Sequence, residues 1–101
     1  MARDEGRRDP GLLLMLSLAG GPKHGYGMME DVESFSGVRL GPGTLYGALE
    51  RLEHDGLVEP LESSERKRPY RLTESGDRLL RGQLSGFRQL LAVGRERLAP
   101  R

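Results

Sequence analysis

The sequence predicts a mainly α domain with one small β-hairpin and a long final helix. Three observations predict it. Apolar residues recur at three- and four-residue spacing in separate stretches that open on Pro, His or Thr and close on Gly or Pro, which is helical periodicity with helix punctuation. One region, residues 57–72, breaks that rhythm with two short apolar runs around a charged tip. The last stretch steps Leu80, Leu84, Phe87, Leu91, Leu98, a heptad seam with Gly94 at the missing position.

Composition sets limits. A chain of 101 residues is read as one domain. It has no cysteine, which excludes disulfides, thiolate metal sites and a cysteine nucleophile. The formal net charge is only +1 with 31% charged residues, so any case for a nucleic-acid partner must rest on where the charges sit. Two Phe, three Tyr and no Trp argue against a stacking platform for single strands. Residues 11–18 (GLLLMLSL) follow Arg3, Arg7 and Arg8 and mimic a short signal peptide. Asp4, Glu5, Asp9 and Pro10 spoil that pattern, and the run is too short to span a bilayer. The sequence therefore reads as a soluble cytoplasmic protein with no membrane partner.

In chain order, residues 1–8 form a flexible charged arm. Asp9 caps a first helix with Pro10 at its first position. That helix runs to about Ala19, is apolar nearly all round and should be well buried. Gly20-Gly21-Pro22 ends it. A second helix opens at His24-Gly25-Tyr26, with His24 as its cap, and fades near Phe35-Ser36-Gly37. After the connector Val38-Arg39-Leu40, a third helix runs from Pro42 to about Asp55, with Gly56 as a left-handed stop. At about 100° per residue Leu45, Leu49 and Leu52 point inward. Gly43, Gly47, Glu50 and His54 point outward, flanked by Tyr46 on one side and by Thr44 and Arg51 on the other. An outer face without bulky aliphatic groups suits close approach to a surface such as the DNA major groove; a merely solvated face is the competing reading. Residues 57–62 and 70–72 form the hairpin, Pro60 marking an edge or bulge. Arg66, Lys67, Arg68 and Arg71 concentrate charge at its tip. Thr73 caps the final helix, Glu74 sits in its favourable first turn, and Pro100 ends it.

Helix, helix, helix, basic hairpin, long helix is the order of a winged helix-turn-helix domain. It would occupy residues 9–73, with residues 74–98 as a dimerisation helix. The third helix would enter the major groove and the wing tip would reach phosphates. The final helix has little of its own domain left to bury against, so Leu80, Leu84, Phe87, Leu91 and Leu98 are assigned to a partner subunit; folding back on the core is the alternative.

Three blocks resemble the PadR family of bacterial transcriptional regulators: residues 21–26 (GPKHGY), 43–53 (GTLYGALERLE) with 55–58 (DGLV), and 69–76 (PYRLTESG). Their order and spacing match, and with the final helix the resemblance covers about residues 11–98. It implies a homodimeric winged-helix repressor acting on two-fold operators, with dimerisation largely through the last helix and help from the first. Carried over by position, Thr44, Tyr46 and Arg51 are DNA contacts and Arg66, Lys67 and Arg68 the basic wing. Leu57, Tyr70 and Leu72 fall on the hairpin's core side. Members often respond to small aromatic or drug-like molecules, some through a Trp in the last helix. This chain has no Trp, and Phe87 is the one aromatic of that helix. A small hydrophobic effector is left open.

Two other readings share the fold: a winged helix used to bind protein, and a small-molecule sensor with DNA binding secondary. An enzyme is not expected. His24 and His54 lie on different helices, and none of the serines sits in a nucleophile elbow. No cofactor is implied.

Overall fold

The computed structural model describes residues 9–64 and 66–100. The arm at residues 1–8 and Glu65 lie outside the described residues. The elements are α1 (Pro10–Ala19), α2 (Gly25–Ser36), α3 (Pro42–His54), β1 (Val58–Pro60), β2 (Tyr70–Leu72) and α4 (Glu74–Leu98). The mainly α fold with a hairpin wing is as the sequence predicts.

Each boundary has a local cause. The Asp9 side chain accepts from the Gly11 N–H at 3.0 Å, and Pro10 occupies the first position of α1, where no partner for an N–H exists. Gly37 (φ 75°) and Gly56 (φ 73°) close α2 and α3 in the left-handed region that side chains rarely adopt. Thr73 Oγ1 accepts from the Gly76 N–H at 3.1 Å at the head of α4. His24 holds the N-cap position of α2 with extended backbone, but its side chain makes no capping bond. The expected role for its imidazole is therefore corrected: only its backbone takes part, the carbonyl accepting from the Met28 N–H at 3.0 Å.

The core is organised around α1, which packs against α2, α3, α4 and β2. That position explains its all-round apolar surface. Leu12, Leu13, Leu14, Met15 and Leu18 are buried, together with Met28 and Val32 from α2 and Leu45, Ala48, Leu49 and Leu52 from α3. Each such Leu, Met or Val side chain contributes about 1.5–3 kcal/mol by leaving water. Ser17 is the buried polar exception, and its hydroxyl donates to Asp31 at 2.7 Å.

β1 and β2 pair antiparallel in the register Val58↔Leu72, Glu59↔Arg71, Pro60↔Tyr70. β1 is shorter than the 57–62 run expected from sequence. Residue 23 extends the sheet on the other side: Tyr70 donates to the Lys23 carbonyl at 2.9 Å and accepts from its N–H at 3.2 Å. Both backbone groups of Tyr70 thus point away from β1, so Pro60 sits opposite a position that asks for no N–H. The Lys23 ammonium meanwhile donates to the Ser17 carbonyl at 2.5 Å, tying the wing's neighbour to the end of α1.

The buried residues of α4, Gly76 and Leu80, lie in its first two turns; beyond them the helix is exposed or half-buried, and the molecule measures 61 × 26 × 20 Å. Its 25 residues measure roughly 37 Å at 1.5 Å per residue. Leu80, expected at a subunit contact, is only 4% exposed and belongs to this chain's own core. The heptad step is right, but the first knob of the seam points at α1 rather than at a partner. No helix among the described residues is long and apolar enough to cross a membrane.

Candidate nucleic-acid interface

The outward face of α3 follows from its inward one. Leu45, Ala48, Leu49 and Leu52 fix the helix to the core, which leaves Gly43, Thr44, Glu50, Arg51 and His54 exposed and Tyr46 51% exposed. The Arg51 guanidinium turns back along its own helix, with Nη1 3.8 Å from the site a Cβ on Gly47 would take. Thr44 and Arg51 thus stand on one flank of an open helix face and Tyr46 on the other, with no large aliphatic group between them.

The wing tip and the first turn of α2 meet beside it. Lys23, His24, Tyr26, Gly27, Glu30, Arg66 and Lys67 line an open cleft of about 640 Å³. Arg66, Lys67 and Arg68 are exposed and make no ion pair among the described residues. The sequence reading missed His24 and Tyr26 as members of this face; Tyr26 is 62% exposed although it follows a helix start. Their only sequence signal was a place beside the loop that the hairpin happens to reach.

Several cations away from the wing tip are held in ion pairs. Arg71, counted in the basic cluster from its position in the chain, pairs with Glu59 across the hairpin, and Arg39 pairs with Glu33 at 3.2 Å. Arg78 and Arg81 pair with Glu74 and Asp77 on α4. Among the described residues the tip cations and Arg51 make no ion pair, and neither do Arg88, Arg95 and Arg97 along α4. α3 and the wing are close enough to feel one another: burial pushes the Tyr70 phenol above its ordinary value of 10.0, Glu53 and Tyr46 push the same way, and Arg68 opposes.

These features make a face of one exposed helix flanked by cationic side chains, an arrangement suited to reading a groove and gripping phosphates. The family model described as "Transcriptional regulator PadR-like family" matches residues 12–82, more than two thirds of the chain. The chain belongs to the PadR-like family of transcriptional regulators. A PadR family transcription regulator from hypervirulent Clostridium difficile superposes with a TM-score of 0.79 at 26% identity, over 89% of this chain and 98% of that one. The Bacillus subtilis PadR, solved in complex with operator DNA, superposes with a TM-score of 0.66 at 22% identity, over 76% of this chain and 48% of that one. At that identity the likeness shows the fold alone. An uncharacterised 37.1 kDa protein in transposon TN4556 of Streptomyces fradiae is 48% identical over 82 residues, which is 81% of this chain and 24% of that protein. The chain therefore spans about a quarter of the length of that relative.

On the opposite side of this PadR-like chain runs an apolar strip. Leu84, Phe87, Leu90, Leu91 and Leu98 of α4 are 40%, 44%, 67%, 54% and 87% exposed. Two shallow grooves of about 450 Å³ each border Phe87. One is lined by Leu12, Leu16, Phe35 and Leu84, the other by Leu12, Gly86 and Leu90.

Proposed function

We propose that the protein is a sequence-specific double-stranded DNA-binding repressor, acting as a homodimer on a two-fold operator. The observation that carries the reading is the meeting of three things on one face: the exposed N-terminal half of α3, the first turn of α2 and the exposed cations Arg66, Lys67 and Arg68, which make no ion pair among the described residues. α3 lies in the major groove with Thr44, Tyr46 and Arg51 against the duplex, and the wing neutralises phosphates beside it. The operator complex of the Bacillus subtilis PadR, which has this fold, supports DNA as the partner. A fluorescence-anisotropy titration tests it, using the duplex upstream of the protein's own gene, an unrelated duplex and two salt concentrations. The expected result is salt-dependent binding at least about 10³-fold tighter to the upstream duplex. No binding to either duplex at low salt would overturn the DNA reading and favour a winged helix that binds protein.

The homodimer reading rests on the strip on α4. A run of leucines and a phenylalanine exposed along one face of a projecting helix wants a second apolar surface, and a two-fold axis supplies the same strip from another copy. Leu84, Phe87, Leu91 and Leu98 carry that contact, with Leu80 removed from the set. Phe87→Asp or Leu84→Asp is expected to convert dimer to monomer in sedimentation velocity while the helical circular dichroism stays. An intact dimer would move the interface elsewhere. The grooves beside Phe87 are where a small hydrophobic effector would act, by altering how the two copies meet.

A further inference from the structure

Gly25 is the first residue of α2, and it is buried. Its backbone gives no reason for glycine, since the positive-φ glycines among the described residues are Gly21, Gly37 and Gly56. A glycine also weakens a helix relative to alanine. What it does provide is room. A Cβ at Gly25 would lie 2.6 Å from Tyr46 Oη, 3.0 Å from Tyr46 Cζ and 3.1 Å from Leu45 Cδ2. The tip of the Tyr46 phenol therefore rests in the slot left by the missing side chain. The ring nevertheless stays 51% exposed: its end is anchored while the rest faces outward. On its wing side the phenol is close enough to Tyr70 to help raise that group above 10.0.

We propose that Gly25 is a positioning residue for DNA recognition: by lacking a Cβ it seats the Tyr46 hydroxyl against α2 and holds the ring in the pose that α3 presents to the duplex. The inference rests on the reading of α3 as the recognition helix. Tyrosine has two side-chain torsions, so packing at its tip restrains both. A side chain ordered before binding loses less freedom on the complex, and that saving appears as affinity. Any side chain at position 25 drives the phenol out of its slot. The first helix of the helix-turn-helix thereby acts on the duplex through a side chain of the second.

The test is a double-mutant cycle of Gly25→Ala, Tyr46→Ala and the two together, read by anisotropy on a labelled duplex carrying the sequence upstream of the protein's own gene. Tyrosine side-chain NMR of the same proteins, with the Tyr46 ring assigned by its loss in Tyr46→Ala, gives a readout that needs no DNA. Gly25→Ala is expected to shift the Tyr46 ring resonances and weaken binding about three- to tenfold. In the Tyr46→Ala background it should weaken binding no further, because the side chain it acts through is gone. Equal weakening in both backgrounds would overturn the proposal, since Gly25 would then act through the fold. Unmoved Tyr46 resonances would overturn it too. Resonances that move while binding stays equal in all four proteins would overturn the assignment of Tyr46 as a DNA contact, and the positioning role with it.

Discussion

Gly76→Ala should lower the thermal midpoint of unfolding by more than about 10 °C, while Gly82→Ala, six residues later on the same helix, should raise it by a few degrees. The contrast isolates how α4 docks. At Gly76 a Cβ would lie 2.1 Å from the Leu57 carbonyl oxygen, 3.0 Å from its carbon and 2.8 Å from Leu72 Cδ1. That carbonyl cannot swing aside freely. It accepts from the Thr73 N–H at 3.0 Å, and Thr73 Oγ1 donates to the Gly56 carbonyl at 2.7 Å while accepting from the Gly76 N–H. A methyl group there forces the first turn of α4 off the start of the wing and strains all three bonds. Overpacking costs about 1–3 kcal/mol where side chains can yield, and more where backbone must. At about 3 kcal/mol, against roughly 4–8 °C per kcal/mol for a domain of this size, the midpoint falls by at least about 12 °C. Gly82 has no atom within 4 Å of its absent Cβ, so alanine there adds only helix propensity, about 0.5–1 kcal/mol. Melts followed by circular dichroism at one protein concentration decide the matter. A Gly76→Ala protein that melts with the wild type would mean that α4 meets the wing with a different face.

The second large effect concerns the wing. Changing Arg66, Lys67 and Arg68 together to alanine should flatten the dependence of log affinity on log salt by about 2–3 units for each wing on the DNA, roughly 5 for a dimer with both wings engaged, because each phosphate neutralised contributes about 0.9. At about 0.1 M salt the same slope amounts to a loss of roughly two to three orders of magnitude in affinity per wing. Arg71→Ala on the neighbouring strand is the control. Its guanidinium already pairs with Glu59, so its removal should leave the slope nearly unchanged. The three tip residues are exposed and make no ion pair among the described residues, so the thermal midpoint should hold in the triple variant. An unchanged slope in that variant would take the wing off the DNA and strengthen the case for a protein partner.

The helices were legible because their signals are local. Asp9 with Pro10, Gly56 after His54, and Thr73 three residues before Gly76 each act within one turn, and a periodicity of three and four is set by the helix itself. The outward face of α3 was legible for the same reason: once Leu45, Leu49 and Leu52 are inward, the outward set follows from 100° per residue. The wing cluster was legible only in part. Arg71 looked like its fellows along the chain, yet it stands opposite Glu59 on the hairpin and is neutralised there. His24 looked like a cap because it precedes a helix, but an N-cap position guarantees only the backbone conformation.

The sequence by itself determined the order of the elements, the ends of the helices, the inward stripe of α3 and the family to which the chain belongs, because caps, turns and apolar periods act between residues close in the chain. Only the tertiary structure decided which neighbour each stripe met. Leu80 and Leu84 are one helical turn apart on the same seam, yet Leu80 is 4% exposed against α1 and Leu84 is 40% exposed. Leu84 borders Leu12, Leu13 and Leu16 of α1 across an open groove, whereas Leu80 is enclosed in the core, and that separation in space is not encoded by spacing along the chain. The same holds for Lys23 beside Tyr70, for Gly76 against Leu57 and for the Tyr46 hydroxyl in the slot at Gly25. Close packing is a relation between surfaces brought together from far apart in the chain, so it becomes visible only once the chain has folded.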